Sequence, residues 1–253
     1  MEAAKHFINE RMIYMKITFF GSSHGVPEPD RHCSCIMVET AGNYYFLDMG
    51  MLAVDAMRRR GLSMDQVKGV FISHMHGDHT DGLVQFVDLI TWYFKTPDPA
   101  IFLPKIEAGE VIDAWLKVTL NDGTKKMDYR KTVAGPLYDD GVLKVTAYAT
   151  QHCEDSFAYL LEAEGKRVLF TGDLANPGRD FPPVEGTLDL MIGESAHFPA
   201  TAYLPVLENL DVKKVCITHY SNKRVISVME LIAALTEKGI PALRASDDLE
   251  LMV

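Results

Sequence analysis

His74-Met75-His76-Gly77-Asp78-His79 places three imidazoles and one carboxylate within six consecutive residues. The stretch directly follows the apolar run Gly69-Val70-Phe71-Ile72, which is typical of a buried strand. A strand-to-helix loop at this point would aim His74 and His76 at one ion, and Asp78 and His79 at a second ion nearby. Nitrogen and oxygen donors packed this closely suit zinc or another divalent first-row metal. The spacing therefore predicts a metal site at the end of a strand.

Further candidate ligands follow later strands in the same way. His152, Asp173 and His219 each come where an apolar strand pattern opens into a loop. Strand ends are where α/β proteins gather the residues of their sites. We therefore expect these three side chains to join the cluster at residues 74–79.

Length and composition favour a protein with a full-sized core. The chain has 253 residues and is 47% hydrophobic, which fits one α/β domain. We expect a single domain over residues 1–253, in which residues 1–14 form an N-terminal extension. No transmembrane segment or signal peptide is recognisable, so a cytoplasmic location is expected. Cys33, Cys35, Cys153 and Cys216 form no disulfide framework and are expected to be reduced.

The charge of the chain bears on its partners. The formal net charge is −10 at pH 7. An acidic surface does not attract polyanions, which disfavours an extended nucleic-acid interface. Metal ions in a pocket would reverse the field locally, so a small anionic substrate stays compatible with this charge.

Hydrophobic periodicity and turn residues predict a mixed order of strands and helices. Strands are predicted over residues 15–20, 35–39, 44–48, 67–73, 101–104, 142–149, 157–162, 167–170, 188–192 and 214–218. Helices are predicted over residues 52–60, 82–94, 107–118 and 222–238. The polar segment 119–131 is expected to be an exposed excursion, and residues 242–253 a closing hairpin.

These motifs, in this order, resemble the metallo-β-lactamase superfamily over roughly residues 15–253. The matching elements are Leu47-Asp48, the H-x-H-x-D-H run at 74–79, His152, Thr171-Gly172-Asp173 and Thr218-His219. The resemblance implies an α/β fold, a four-layer αβ/βα sandwich with a two-metal site at one edge of its sheets.

The resemblance also implies a ligand set for two divalent ions. The first ion would be held by His74, His76, His152 and a bridging Asp173. The second would be held by Asp78, His79, Asp173 and His219. Asp48 would support the site from behind by orienting a ligand loop or imidazole. Zinc is the default metal, and manganese or iron stays open because the donors are nitrogen and oxygen alone.

Three segments are similar to the ribonuclease Z and phosphodiesterase branch of the superfamily. They are the opening loop Gly21–Pro27 with Arg31 and Ser34, the segment His152–Tyr159, and the segment Thr218–Arg224. Ser221 and the amides that begin the last helix could bind an anionic oxygen, or Ser221 could simply cap that helix. His24 could touch substrate from the opening loop or be structural. Both alternatives stay open.

One departure from that branch concerns a catalytic histidine. Ribonuclease Z carries a His-Glu-Ala-Thr motif, and the corresponding segment here is Gly193-Glu194-Ser195-Ala196-His197. Glu194 matches the glutamate, but glycine stands at the histidine position. His197, four residues later, either replaces that histidine beside Glu194 or is a surface residue.

The sequence therefore favours a binuclear metal-dependent hydrolase that uses a metal-bound hydroxide, with Asp78 also handling the proton of the nucleophile. A small phosphodiester or cyclic nucleotide is the favoured substrate, because residues 80–150 show no long Gly/Pro-rich arm for tRNA. The alternatives are a hydrolase of lactones, thioesters or amides, a tRNA 3′-processing endonuclease, and a metal-binding protein without catalysis. The expected partner is a small-molecule substrate rather than a membrane, and a homodimer is an expectation from the resemblance.

Overall fold

The computed structural model describes residues 14–121 and 125–253. The predicted extension at residues 1–14 therefore lies outside the described chain, except for Tyr14. Within the described residues, no helix combines the length and the apolar character that a membrane crossing requires. All four cysteines are free thiols, as expected.

Two seven-stranded sheets form the centre of the structure. The first contains, in spatial order, β14 (Glu250–Met252), β1 (Met15–Gly21), β2 (Cys35–Thr40), β3 (Asn43–Leu47), β4 (Val67–Phe71), β5 (Ala100–Leu103) and β6 (Asp128–Lys131). The second contains β13 (Ala242–Arg244), β12 (Val215–Thr218), β11 (Leu190–Glu194), β10 (Lys166–Phe170), β9 (Ser156–Ala163), β8 (Lys144–Thr150) and β7 (Gly135–Asp139).

Helices connect these strands. The α-helices are α1 (Ala53–Arg59), α2 (Gly77–Thr80), α3 (Leu83–Leu89), α4 (Glu107–Val118), α5 (Pro177–Asp180), α6 (Leu204–Leu207) and α7 (Val225–Glu237). Short 3₁₀ helices span Met64–Gln66, Ala200–Tyr203 and Asn222–Arg224, and a π-helical turn extends α3 over Ile90–Phe94. The predicted helices at 52–60, 82–94, 107–118 and 222–238 are confirmed, with these bounds.

Alternation along the strands divides the core into three buried clusters. On β4, Phe71 packs between the two sheets, whereas Val70 packs beneath the helices that cover the first sheet. On β10, Val168 faces the space between the sheets, and Leu169 faces the layer that contains α7. Because successive side chains of a strand point to opposite faces, each sheet is buried on both sides. The order helix, sheet, sheet, helix confirms the predicted four-layer sandwich.

The predicted hairpin at the C-terminus is wrong. β13 pairs in parallel with β12 in the second sheet, with Val215 opposite Ala242. β14 instead pairs antiparallel with β1 in the first sheet, with Ile17 opposite Leu251. The link between them therefore crosses from one sheet to the other. A short strand carries no local signal for its partner, which is why turn residues between two apolar segments suggested a hairpin.

The predicted exposed excursion at 119–131 is also partly wrong. Residues 128–131 form β6, which pairs in parallel with β5 at the edge of the first sheet. The edge strand β7 was not predicted either. Edge strands carry polar residues because one side faces water, so their hydrophobic pattern is weak. Residues 122–124 lie outside the described chain.

The carboxylate of Asp140 links the two sheets by hydrogen bonds. Tyr45 on β3 is fully buried and donates a 2.6 Å hydrogen bond to Asp140 Oδ2, beyond β7 in the other sheet. Tyr138 donates to the same oxygen at 3.0 Å. Burial would raise the pKa of Asp140, but the Leu143 amide and the Tyr45 hydroxyl outweigh it and hold the pKa below its usual value.

We expect Asp140→Ala to lower the free energy of unfolding by about 1–3 kcal/mol at pH 7, because the buried Tyr45 hydroxyl loses its acceptor. A depressed carboxyl pKa stabilises the fold above the unfolded-state value of about 4, and this stabilisation is lost as the pH falls through the folded-state value. The difference between wild type and variant should therefore shrink near pH 3 in urea titrations. Asp55→Ala, on an exposed pair with Arg59, is the control. A difference independent of pH would contradict this account.

Candidate metal centre

The candidate ligands meet at one end of both sheets. β4 ends at Phe71, two residues before Ser73 and three before His74, and His79 lies on the short helix α2. In the second sheet, His152 lies between β8 and β9, and Asp173 follows β10. His219 follows β12. The sheets are joined here, since Phe157 N donates to Ser73 O at 2.9 Å.

The first group of donors contains His74, His76, His152 and Asp173. His76 Nδ1 lies 2.9 Å from His74 Nε2 and 3.2 Å from His152 Nε2. Asp173 Oδ2 lies 3.7 Å from both His74 Nε2 and His152 Nε2. These side chains, separated by about a hundred residues of sequence, therefore aim their donor atoms at one point.

The second group contains Asp78, His79, His219 and the same Asp173. Asp78 Oδ2 lies 3.0 Å from His219 Nε2 and 3.2 Å from His79 Nε2. His79 Nε2 lies 3.5 Å from Asp173 Oδ2. Asp173 Oδ2 thus lies between the two groups; the family resemblance implies a bridging role for this carboxylate, and that role stays a prediction.

Gly172 allows the backbone to place Asp173 between the two donor groups. Its backbone is left-handed, with φ of +55°. A β-carbon there would lie 2.7 Å from Phe157 O and 2.9 Å from Ser73 Cβ. Only glycine combines that backbone conformation with such a close approach, which explains the Thr171-Gly172-Asp173 motif.

Asp48 lies behind the cluster and contacts its loop. It is fully buried, and its Oδ2 accepts a 2.7 Å hydrogen bond from His79 Nδ1. Its Oδ1 accepts from Ser73 N at 2.7 Å. One carboxylate therefore fixes both the His79 ring and the start of the ligand loop. Asp48 and His219 both adopt left-handed φ, +58° and +48°, and such strain in non-glycine residues is typical of functional sites.

Burial and neighbouring charges set the protonation of the cluster. Burial and the neighbouring His79 lower the pKa of His74 to about 2, and burial lowers that of His152 to about 4. Burial would raise the pKa of Asp173, but His219 and His79 hold it well below its usual value. Neutral imidazoles and an ionised carboxylate are the forms that bind metals.

The donor set fits divalent ions. His79 Nε2 is buried and makes no hydrogen bond to any described residue, although two carboxylate oxygens lie within 3.5 Å. Metal bonds of about 2.0–2.2 Å place neighbouring ligand atoms roughly 3–3.5 Å apart, close to the distances within both groups. Four overlapping sets of His, Asp and Glu side chains here could hold an ion. The residues present therefore suit a pair of metal ions.

His197 lies at this site and not elsewhere on the surface. Its Nδ1 lies 2.9 Å from Glu194 Oε1 and 3.7 Å from Asp173 Oδ2. The hydrogen bond to Glu194 raises the pKa of His197 against the effect of burial. Its side chain is 37% exposed, so it also faces the solvent side of the cluster.

The glycine that replaces the expected histidine has a packing reason. A β-carbon at position 193 would lie 2.8 Å from Met191 Cε and 3.0 Å from Tyr203 Oη. Tyr203 is fully buried, and its hydroxyl is held in place by a 3.2 Å hydrogen bond that it accepts from Glu194 N. A side chain at 193 would require Met191 and Tyr203 to shift, whereas His197 reaches Glu194 from the following loop.

The opening loop lies against the second donor group. A β-carbon at Gly25 would lie 3.5 Å from Asp78 Oδ2, which places the neighbouring His24 at the rim of the site. His24 Nε2 lies 3.5 Å from Glu28 Oε1. Arg31 is buried, donates to Tyr220 O at 2.8 Å and stacks on the Tyr220 ring. This loop is therefore fixed to the segment that carries His219.

Ser221 does not cap the helix that follows it. Its side chain makes no capping hydrogen bond, and it begins the 3₁₀ turn Asn222–Arg224 that leads into α7. The first amide of that turn, Asn222 N, donates to Glu28 Oε1 at 2.8 Å. The Glu28 carboxylate therefore already binds the Asn222 amide, which belongs to the amides that the sequence analysis considered as contacts for an anionic oxygen.

Sequence reasoning missed Glu28, Ser73 and Tyr203, which contact segments of the site. Ser73 was detectable, because it precedes His74 directly. The other two act across the fold, so their position in the sequence gives no signal.

Comparison with known proteins shows which family and which solved structures this chain is similar to. A sequence-family profile described as "Anti-Pycsar protein Apyc1" matches residues 15–224. Ribonuclease Z of Nitrosopumilus maritimus is 30% identical over 163 residues, which are 64% of this chain and 54% of that protein. The chain spans about half the length of the first curated relatives it matches.

Two solved structures share the fold. Human tRNase Z, short form, superposes with a TM-score of 0.73 at 18% identity and covers 93% of this chain and 98% of its own. A diphosphatase of the PhnP family superposes with a TM-score of 0.71 at 16% identity and covers 95% and 98%.

Fold, donor arrangement and neighbours define a protein of the metallo-β-lactamase superfamily, in the branch that is similar to ribonuclease Z and phosphodiesterases. The predicted superfamily and branch are thereby confirmed. Within this class, the chain belongs to the family described as Anti-Pycsar protein Apyc1. The expected homodimer stays a prediction.

Proposed function

We propose that this protein is a binuclear metal-dependent phosphodiesterase that acts on a small phosphodiester such as a cyclic nucleotide. One observation carries the proposal. Asp173 Oδ2 lies within 3.7 Å of His74, His79 and His152, so a single carboxylate oxygen is shared by two sets of donors. A shared carboxylate is the arrangement that holds two ions about 3.5–4 Å apart.

The seven proposed ligands are His74, His76, Asp78, His79, His152, Asp173 and His219. When bound, the ions would polarise the phosphodiester and activate a water at neutral pH. Zinc suits this donor set, and manganese or iron is compatible with it.

Asp78 is the proposed acceptor for the proton of the attacking water. Burial would raise the pKa of Asp78, but the neighbouring His219 and His79 imidazoles outweigh it and hold the pKa well below its usual value. The carboxylate is therefore ionised at neutral pH. It is 14% exposed, so it borders the space that substrate would enter.

His197 is the proposed acid that protonates the leaving oxygen. Glu194 is almost fully buried and holds Nδ1 of His197, which leaves Nε2 of the ring to face substrate. Glu194 is itself fixed by the amides of Leu174 and Ala196, at 3.1 and 2.6 Å. A proton-donating histidine oriented by a buried carboxylate is a common arrangement for acid–base catalysis.

Charge at the rim supports a small substrate. The chain carries a net charge of −10, and the carboxylate of Glu28 occupies the Asn222 amide beside the site. A long polyanion would meet repulsion there, whereas one phosphodiester needs only the ions and a few donors. Ser221 and His24 are the proposed contacts of this chain to the substrate.

A substrate panel tests the proposal. We expect turnover of 3′,5′-cyclic nucleotides and bis(p-nitrophenyl) phosphate by the metal-loaded protein, and loss of both activities in His76→Ala. A tRNA precursor, a lactone and a thioester complete the panel. Cleavage of the tRNA precursor alone would contradict the small-substrate proposal. Activity on the lactone or thioester with inert phosphodiesters would contradict the phosphodiesterase proposal.

A further inference from the structure

Two loops that carry proposed ligands of the first ion lie side by side. His152 belongs to the loop between β8 and β9, and Asp173 belongs to the loop after β10. Their donor atoms, His152 Nε2 and Asp173 Oδ2, lie 3.7 Å apart. A site of this kind holds its ion tightly only if that spacing is fixed.

The carboxylate of Asp180 connects these loops. Its Oδ2 accepts from Gln151 N at 3.3 Å and from Ala175 N at 2.9 Å, and its Oδ1 accepts from Asn176 N at 3.0 Å. Gln151 precedes His152 directly, and Ala175 is two residues beyond Asp173. One side chain therefore binds the backbone beside both proposed ligands.

The short helix α5 explains why Asp180 points back at these amides. Asn176 caps the helix through a 2.9 Å bond from Gly178 N to its Oδ1, and Pro177 occupies the first turn. Asp180 N donates to Asn176 O at 3.1 Å, which closes the turn. Asp180 is only 6% exposed. A carboxylate buried to this degree is costly unless it is hydrogen-bonded, and three backbone amides meet that need.

We propose that Asp180 is a positioning residue that sets the spacing between His152 and Asp173 and thereby the affinity of the first metal site. Its carboxylate oxygens accept hydrogen bonds from the backbone amides of Gln151, Ala175 and Asn176, beside the proposed ligands. The inference rests on the proposed function, because it concerns the ions that the function requires.

A weaker link between the same loops makes this inference testable. Thr150 Oγ1 lies 3.4 Å from Asp173 O and 2.9 Å from Ser156 Oγ. This link would remain after a change at position 180. Loss of the Asp180 contacts is therefore expected to loosen the ligand spacing rather than separate the loops.

The test is metal binding by Asp180→Asn, measured with a competing zinc chelator that reports occupancy without any substrate. An amide presents one oxygen and one N–H₂ group, so it cannot accept from all three backbone donors. We expect the affinity of one of two sites to fall by about 10–100-fold, while the other site keeps its affinity. Turnover of bis(p-nitrophenyl) phosphate should return to near the wild-type rate when zinc is raised.

Asp189→Asn is the matched control. The side chain of Asp189 is 10% exposed and accepts a hydrogen bond from Arg167 N at 3.0 Å. It lies at the end of the second sheet that is opposite the candidate ligands. We expect the Asp189→Asn variant to bind zinc with wild-type affinity, whether or not the substitution changes the stability of the fold. Equal affinities in wild type, Asp180→Asn and Asp189→Asn would overturn the role of Asp180. Failure of the wild type itself to bind zinc would instead contradict the proposed function.

If Asp180→Asn does not fold, Asp180→Glu decides the matter. Glutamate keeps the charge but places it one methylene further from the helix, which changes the spacing that it can hold. We expect weaker binding at one site and recovery with excess zinc. Wild-type affinity in a folded Asp180→Glu variant would overturn the proposal.

Discussion

Replacing Asp173 with alanine should lower kcat/KM on the preferred phosphodiester by at least about 10³-fold, the largest effect that we expect from one substitution. Its Oδ2 is the oxygen that faces both donor groups, at 3.5 Å from His79 and 3.7 Å from His74. Without it each group loses one ligand and the two ions lose their link. Steady-state kinetics measures the loss, and metal analysis of the same sample should show fewer ions than wild type.

The control for this variant is Asp189→Ala, which removes a partly buried carboxylate at the end of the second sheet opposite the candidate ligands. Its kinetics should stay close to wild type once folding is verified. An Asp173→Ala protein that is folded and keeps turnover within tenfold of wild type would contradict the bridging role.

Replacing His197 with alanine should show an effect that depends on the leaving group. On a cyclic nucleotide the leaving oxygen is an alkoxide that needs a proton, so we expect kcat to fall by about 10²–10³-fold. On bis(p-nitrophenyl) phosphate the leaving p-nitrophenolate is stable without a proton, so we expect a loss of only a few-fold. The two substrates are compared on the same metal-loaded sample.

His32→Ala is the control for His197→Ala, since His32 is an exposed histidine that pairs with Asp247 and is not one of the proposed ligands. It should change neither rate. Equal losses on both substrates in His197→Ala would show that His197 acts through the metals or the fold and not as an acid.

The candidate ligands could be recognised because the residues that identify them are close together in the sequence. His74, His76, Asp78 and His79 lie in one loop, and each remaining candidate follows a recognisable apolar strand. The fold was predictable for a related reason. Buried strands such as β4 and β10 bear apolar residues on both faces. This pattern can be recognised in the sequence without knowing which strands lie next to each other.

The features that the sequence did not predict depend on contacts between residues that are distant in the chain. Nothing near Gly193 indicates that Tyr203 fills the space where a histidine would lie, so the position of His197 needed coordinates. Glu28 and Asp180 reach amides of other loops, and no spacing in the sequence records those contacts. β13 and β14 are three residues each, too short to indicate which sheet they join.

The proposed function requires seven side chains to hold a pair of divalent ions. The most direct test is elemental analysis of the purified chain after chelation, reconstitution with zinc and removal of free metal. The account predicts about two zinc ions per chain, with fewer in Asp173→Ala. A folded wild-type chain that retains no stoichiometric metal at any loading would contradict it.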